Sequence, residues 1–277
     1  MQIKELNKIT TFLDNTEKMP VLFLGHGSPM NAIEENEFVQ GFRDIKKEIP
    51  QPNAILCISA HWETRGTFLT AMENPPTIHD FGGFPKELFA VQYPAPGSPE
   101  LAAATKALIK GTEAGLTDQW GLDHGAWSVI KHLYPEADVP VIEMSLDHYK
   151  TPQWHYDLAG ELKQLREKGV LIIGSGNMVH NLGRVAWGHF NTDNYAYDWA
   201  LEAKEKMKDF ILDDDHQSLV NYDKQGPAFQ LAIPSPEHYM PLLYALALKD
   251  DRDNIKLFND KAVAGSLTMT SLKIGTV

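Results

Sequence analysis

Three stretches of this chain run apolar and then stop at a histidine. Ala54–Trp62 (AILCISAHW) is apolar and β-branched until His61. Val21–Gly25 (VLFLG) runs into His26 and then Gly27-Ser28-Pro29. Val170–Gly174 (VLIIG) runs into Ser175-Gly176-Asn177 and then His180. A short apolar run bounded by turn residues reads as a strand buried on both faces, as in a parallel or mixed sheet. Each run would deliver its histidine to the carboxyl end of its strand, the end where open α/β sheets bind ligands.

The rest of the chain fits the same class. Residues 1–19 read as an N-terminal helical extension, with a short amphipathic helix over 3–15. A helix is expected over Met30–Phe42, with Phe38 and Phe42 on one face. Others are expected over Leu101–Glu113, Ala126–Leu133, Tyr156–Lys168, residues 195–213 and Tyr239–Lys249. Strands are expected at Phe68–Met72, Val139–Ser145 and Leu267–Ile274. Residues 73–99 are crowded with Pro, Gly and aromatics, and a loop of that length in a compact domain is usually functional or a lid. Its Phe81, Phe84, Phe89 and Tyr93 either wall a pocket for a flat apolar substrate or anchor the loop to the core. No repeat or composition break marks a linker. The expectation is one α/β domain over 1–277, with a central mixed, largely parallel sheet and helices on both faces.

Composition narrows the partners. Among 277 residues the formal net charge is −12, which argues against nucleic acid or an anionic membrane surface. No stretch approaches the length of a membrane span, and the N-terminus lacks an apolar signal region, so the cytoplasm is expected. Nothing in the pattern signals an assembly state. Cys57 is the one cysteine and sits inside an apolar run, which suits a small buried thiol better than a nucleophile. No G-x-S-x-G elbow is present, and Gly174–Asn177 (GSGN) is at most a weak phosphate-cradling turn.

That leaves the histidines. The chain has 11. Four sit where local structure changes sharply: His26, His61, His180 and His238. For any one of them a hydrogen bond to a strand-end carbonyl is the ordinary role. Three at the ends of separate core strands point to one shared site. Neutral imidazoles converging at about 2.0–2.1 Å suit Zn²⁺, and similar ligands suit Fe²⁺. His124, in DHGAW beside a glycine, can approach a ligand closely. His79, His148 and His155 lie near aromatics and are candidates to touch substrate. His132, His189 and His216 read as structural or surface residues.

Five elements in order carry a resemblance. Residues 25–31 (GHGSPMN), 59–62 (SAHW), 123–127 (DHGAW), 174–182 (GSGNMVHNL) and 234–242 (PSPEHYMPL) resemble the class III extradiol ring-cleavage dioxygenases. The nearest branch is the DOPA 4,5-dioxygenase-like proteins of bacteria and plants. The resemblance spans residues 20–275. It implies one divalent metal, Fe²⁺ for activity with Zn²⁺ as another metal the site would bind. It implies His26, His61 and His238 as ligands, with Glu237 as the alternative third. It implies His180 as the acid/base, able to close the sphere as a fourth ligand, and His124 as a second pocket histidine near the O₂ or catechol oxygens. His148 and Phe84 are the expected substrate contacts. Three protein ligands leave positions open for a catechol and O₂. A base must take a phenolic proton whose ordinary pKa is about 10. The plant betalain-forming relatives carry H-P-x-x-x-T-P in a substrate loop. Leu146–Pro152 (LDHYKTP) keeps the Thr-Pro and lacks the His-Pro, so the resemblance implies the catechol class and leaves DOPA itself open. Two other readings use the same residues: a zinc-dependent hydrolase, and a binding protein that keeps the fold without catalysis.

Overall fold

A computed structural model describes residues 10–276 apart from 12, 14 and 15. The helix expected over 3–15 therefore lies largely outside the described residues. The strands are β1 (Val21–Gly25), β2 (Ala54–Thr64), β3 (Thr67–Thr70), β4 (Ala114–Thr117), β5 (Val141–Asp147), β6 (Val170–Gly176), β7 (Asn254–Phe258), β8 (Ala262–Val263), β9 (Leu267–Thr268) and β10 (Ser271–Gly275). Eight form one sheet in the order β4-β3-β5-β2-β6-β1-β10-β7, and β8 pairs with β9. The central four, β5-β2-β6-β1, are parallel. Antiparallel pairs join β3, β10 and β7 at the flanks. The α/β class with a mixed sheet is as the apolar runs required.

Alternate residues of the central strands feed two separate cores. Val21, Phe23, Leu56, Ile58 and Ile172 face one side, packed with Leu158 and the Met240–Ala247 helix. Leu22, Leu24, Ile55, Cys57 and Ile173 face the other, packed with Phe42, Trp127 and Ile130. Strands apolar on both faces must be covered by helices on both, and they are. Cys57 is fully buried, as expected, and burial first, then Glu143, pushes its thiol well up.

Register aligns the strand ends. Gly25 of β1 lies beside Gly176 of β6, and Ser59 of β2 lies beside Ser175. Here β2 corrects the expectation. It continues past His61 to Thr64, and its pairing with β5 shifts between Ile58 and Glu63. His61 thus projects from an irregular stretch inside the strand rather than from its end, and such irregularities re-aim side chains.

Other boundaries shifted for local reasons. The helix expected from Met30 is a 3₁₀ turn at Pro29–Ala32 and then a helix at Glu37–Lys46, because Asn36 accepts the Phe38 and Val39 N–H groups as an N-cap. The helix at Tyr156–Lys168 in fact starts at Pro152, where Thr151 accepts the Trp154 N–H. It ends at Gly160, followed by 3₁₀ turns over Lys163–Lys168. The Thr-Pro of LDHYKTP is thus a helix start. The last expected strand is broken. Ser271 accepts from the Gly25 N–H and donates to Met269 O, so β9 peels away while β10 stays in the sheet.

Arg166 is fully buried behind β6 and pairs with Asp253 at 2.6 Å and 3.1 Å while donating to Met19 O and Leu248 O. Removing one partner of a buried pair strands the other charge. Asp253→Ala should lower unfolding free energy by about 3–5 kcal/mol in urea denaturation; a loss under about 1 kcal/mol would show that the pair does not anchor this end of the sheet.

Candidate active site

Five imidazoles gather beyond the ends of β1 and β6 and beside the irregular stretch of β2. Ring centroids are 5.0 Å apart for His26 and His61, 3.8 Å for His61 and His124, and 5.8 Å for His26 and His124. His238 lies 5.3 Å from His26 and 4.9 Å from His61. His180 stacks on His238 at 3.6 Å. The ligand atoms of His26, His61 and His124 lie within 4.8 Å of one another, as do those of His180, Glu237 and His238.

Glycines allow this crowding. A Cβ on Gly176 would stand 2.1 Å from the His238 carbonyl oxygen, whose acceptor role holds the Asn177 N–H at 2.8 Å. One on Gly125 would stand 2.5 Å from Ser59 Oγ and 2.8 Å from the His61 ring. The GSGN segment is therefore a seat for the Pro234–His238 turn, not a phosphate cradle. His124 opens the His124–Leu133 helix, with Asp123 as N-cap.

His26, His124 and His238 each have Nδ1 hydrogen-bonded from behind, and His61 Nδ1 faces a carboxylate. His26 Nδ1 meets Ser175 Oγ at 3.0 Å, and Ser175 donates to Gly125 O, so the imidazole is the donor. His61 Nδ1 lies 3.5 Å from Asp80 Oδ2, which also takes His124 Nδ1 at 2.9 Å. His238 Nδ1 meets Glu237 Oε1 at 3.2 Å. An imidazole that donates from Nδ1 keeps Nε2 as a lone pair. His26 Nε2 and His61 Nε2 stand 3.2 Å apart. Two nitrogens on one tetrahedral metal at about 2.05 Å would be about 3.3 Å apart. The donor set and its spacing therefore fit a divalent metal.

The electrostatics agree. Burial, then His61, lowers His26 well below the usual imidazole range, and burial, then His124, does the same for His61. Burial, then His238, lowers His180 to about 3. Burial raises Asp80 and Glu237, but hydrogen bonds from His124 and His238 outweigh it, leaving Asp80 lowered and Glu237 at about 2. The His180 ring nitrogens bond to no described residue; its N–H donates to Ala232 O.

The aromatic loop divides its roles. Phe81 stands edge-on to His124 at 5.4 Å, and Phe84 packs on Phe81 at 5.4 Å. Tyr93 is an anchor, buried and donating to Tyr134 O. His148 is exposed, 3.0 Å from Glu63, whose hydrogen bond raises its pKa; Glu237 contributes too. His155 is buried on Tyr244 and Asp147 O, so the expectation that it touches substrate does not hold. His79 bonds Val91 O. Sequence reasoning missed Asp80, Ser175, Asp123 and Glu143. Two had a signal: Asp123 precedes a helix, and Glu143 is a lone charge inside an apolar strand.

Residues 20–271 match the family described as the catalytic LigB subunit of aromatic ring-opening dioxygenase. The 4,5-DOPA dioxygenase extradiol of Escherichia coli K12 is 43% identical over 94% of this chain and 96% of its own length. That of Beta vulgaris is 34% identical over 91% and 94%. A solved structure of an uncharacterised Escherichia coli K12 protein superposes with TM-score 0.80 at 39% identity, covering 93% of this chain and all of that one. The chain belongs to the LigB family of aromatic ring-opening dioxygenases. It is an extradiol ring-opening dioxygenase, and its buried histidine cluster is suited to the metal on which that family depends.

A pH dependence follows. His26, His61, His132, His155, His180 and His216 all have lowered pKa values. Below about pH 6.5 the unfolded chain binds protons there that the folded chain refuses, so stability falls as pH falls. The raised Asp123, Glu143 and His148 oppose this but are fewer. Metal-free protein should therefore lose denaturant midpoint steadily from pH 6.5 to 5; a flat midpoint would contradict the buried neutral histidines.

Proposed function

We propose that this chain opens the ring of a small, DOPA-like catechol with O₂, using one Fe²⁺ held by His26, His61 and His238. One observation carries this reading. His26 and His238 have Nδ1 bonded by Ser175 and Glu237, and His61 Nδ1 faces Asp80 at 3.5 Å, so the Nε2 atoms of all three are left for one centre. Glu237 then orients His238 rather than ligating in its place.

A bound Fe²⁺ supplies the redox link between ring and O₂, which Zn²⁺, with no redox chemistry, does not. The chain's own residues handle the protons and the ring. His180 is neutral at working pH with both ring nitrogens unbonded to protein, so it can accept a phenolic proton. Its low pKa means that the proton is readily given back to a leaving oxygen. Stacking on His238 keeps it beside the centre, where it would close the sphere of a bound metal as a fourth ligand when no substrate is present. His124, braced by Asp80, offers Nε2 to the oxygens of catechol or O₂. Phe81 and Phe84 form a flat apolar wall. His148, whose pKa the Glu63 hydrogen bond raises, would meet a carboxylate on the substrate's side chain. The relatives named 4,5-DOPA dioxygenase support DOPA as the first substrate to try. The whole chain serves this site as one catalytic domain.

Metal-free protein loaded anaerobically with Fe²⁺ should turn L-DOPA yellow with matching O₂ uptake, and the Zn²⁺-loaded protein should not. No O₂ uptake with DOPA or simpler catechols would overturn the reading, and anaerobic hydrolysis with Zn²⁺ would replace it by a hydrolase.

Two variants separate the roles. His180→Ala should cut kcat by roughly 10²–10⁴-fold while iron content holds, since it removes proton transfer. His61→Ala should lose most of the iron. Iron loss in His180→Ala large enough to explain its defect would make His180 a plain ligand.

A further inference from the structure

Beneath the histidines lies a carboxyl pair that the proposed reaction does not use. Glu143 is in the middle of β5 and Asp123 caps the His124 helix; both are fully buried. Asp123 Oδ1 accepts from Ser59 Oγ at 2.6 Å and from the Ala126 N–H at 3.1 Å. Glu143 Oε1 accepts the Asp123 N–H at 2.9 Å. The remaining oxygens, Asp123 Oδ2 and Glu143 Oε2, are buried and meet no donor among the described residues. Each carboxyl thus keeps one buried oxygen without a donor, while the two residues are joined through the Asp123 N–H.

Ionised carboxylates only accept. Two bare anions joined in a dry site repel each other, and a proton on one of them relieves both the repulsion and its orphaned oxygen. No Lys or Arg among the described residues pairs with either carboxyl. The groups around the pair are the Cys57 thiol, the Ser59 hydroxyl, the Thr70 hydroxyl that takes the Glu143 N–H, Asp80 and His124. We propose that Glu143 is a carboxylic acid in the working protein, and that its proton, shared with Asp123, makes it the positioning residue for His124 and His26. Burial, then Asp123, pushes Glu143 well up, and burial raises Asp123, which favours the protonated form.

The chain of contacts is short. Glu143 fixes Asp123 by its N–H. Asp123 caps the helix that begins with His124, and holds Ser59, whose Oγ accepts the His61 N–H at 3.2 Å. The next residue, Gly125, offers the carbonyl that Ser175 uses, and Ser175 orients His26. This rests on His26 and His124 being working groups of the site proposed above.

Glu143→Gln tests it. Its amide oxygen can accept the Asp123 N–H and its NH₂ can donate to Oδ2, which reproduces the protonated acid and not the carboxylate. The variant should fold and bind metal as wild type does. Its kcat should stay within roughly threefold, with an unshifted pH profile. Glu143→Leu, which leaves buried groups unpaired, should lose about tenfold or more in kcat with little change in KM. Infrared spectra of the metal-free protein give a readout that needs no activity. Wild type should show the carbonyl band of a buried protonated carboxyl at neutral pH, lost in Glu143→Gln. A missing band, a Glu143→Gln variant as damaged as the leucine variant, or a bound cation lost with Glu143→Gln would each overturn the proposal. A band present in a protein that opens no catechol would sustain the proton and sink the function.

Discussion

Five imidazoles can share one desolvated pocket only if their hydrogen-bonding directions are fixed by groups behind them. That requirement organises the rest of the structure. Ser175, Asp80 and Glu237 each take the rear nitrogen of a ring, and each belongs to a different part of the chain. The sheet register brings Ser175 beside Ser59, and the glycines at 125 and 176 let a helix and a turn press against the strands. Without those contacts the rings would have to be protonated or hydrated, and burial penalises the charged form.

The site is asymmetric, and the asymmetry gives it direction. One side is braced: rings held from behind by the buried Ser175 hydroxyl and the half-buried carboxyls of Asp80 and Glu237. The other is open: His180, whose ring nitrogens meet no partner among the described residues, and the aromatic edge of Phe81. The braced side suits holding a metal, and the open side suits moving protons and receiving a flat ring. Rigid support behind and free lone pairs in front is the division that preorganised chemistry calls for.

Much of the fold was legible because strand burial leaves a strong mark. The VLFLG, AILCISA and VLIIG runs name three of the four central parallel strands, and the helices between them follow from length and pattern. Boundaries were less legible where a side chain competes with the backbone. Asn36, Thr151 and Ser271 moved or split expected elements by accepting backbone N–H groups. The site was legible as a set of histidines and not as a geometry. His155 has the same loop-and-aromatic surroundings in sequence as His148, yet it is buried in a helix while His148 stands on the surface.

The sequence by itself determined the α/β class, the two-faced burial of the central strands and the residues rich enough in imidazole to make a metal site. Those follow from local pattern: apolar runs, their lengths and what ends them. Only the tertiary structure decided that Asp80, from a long irregular loop, braces two rings, that Ser175 turns His26, and that a glutamate inside an apolar strand meets the cap of a helix. These contacts join residues 20 to 150 positions apart. No local pattern encodes such a pairing, because it depends on strand order, register and the bulge that aims His61.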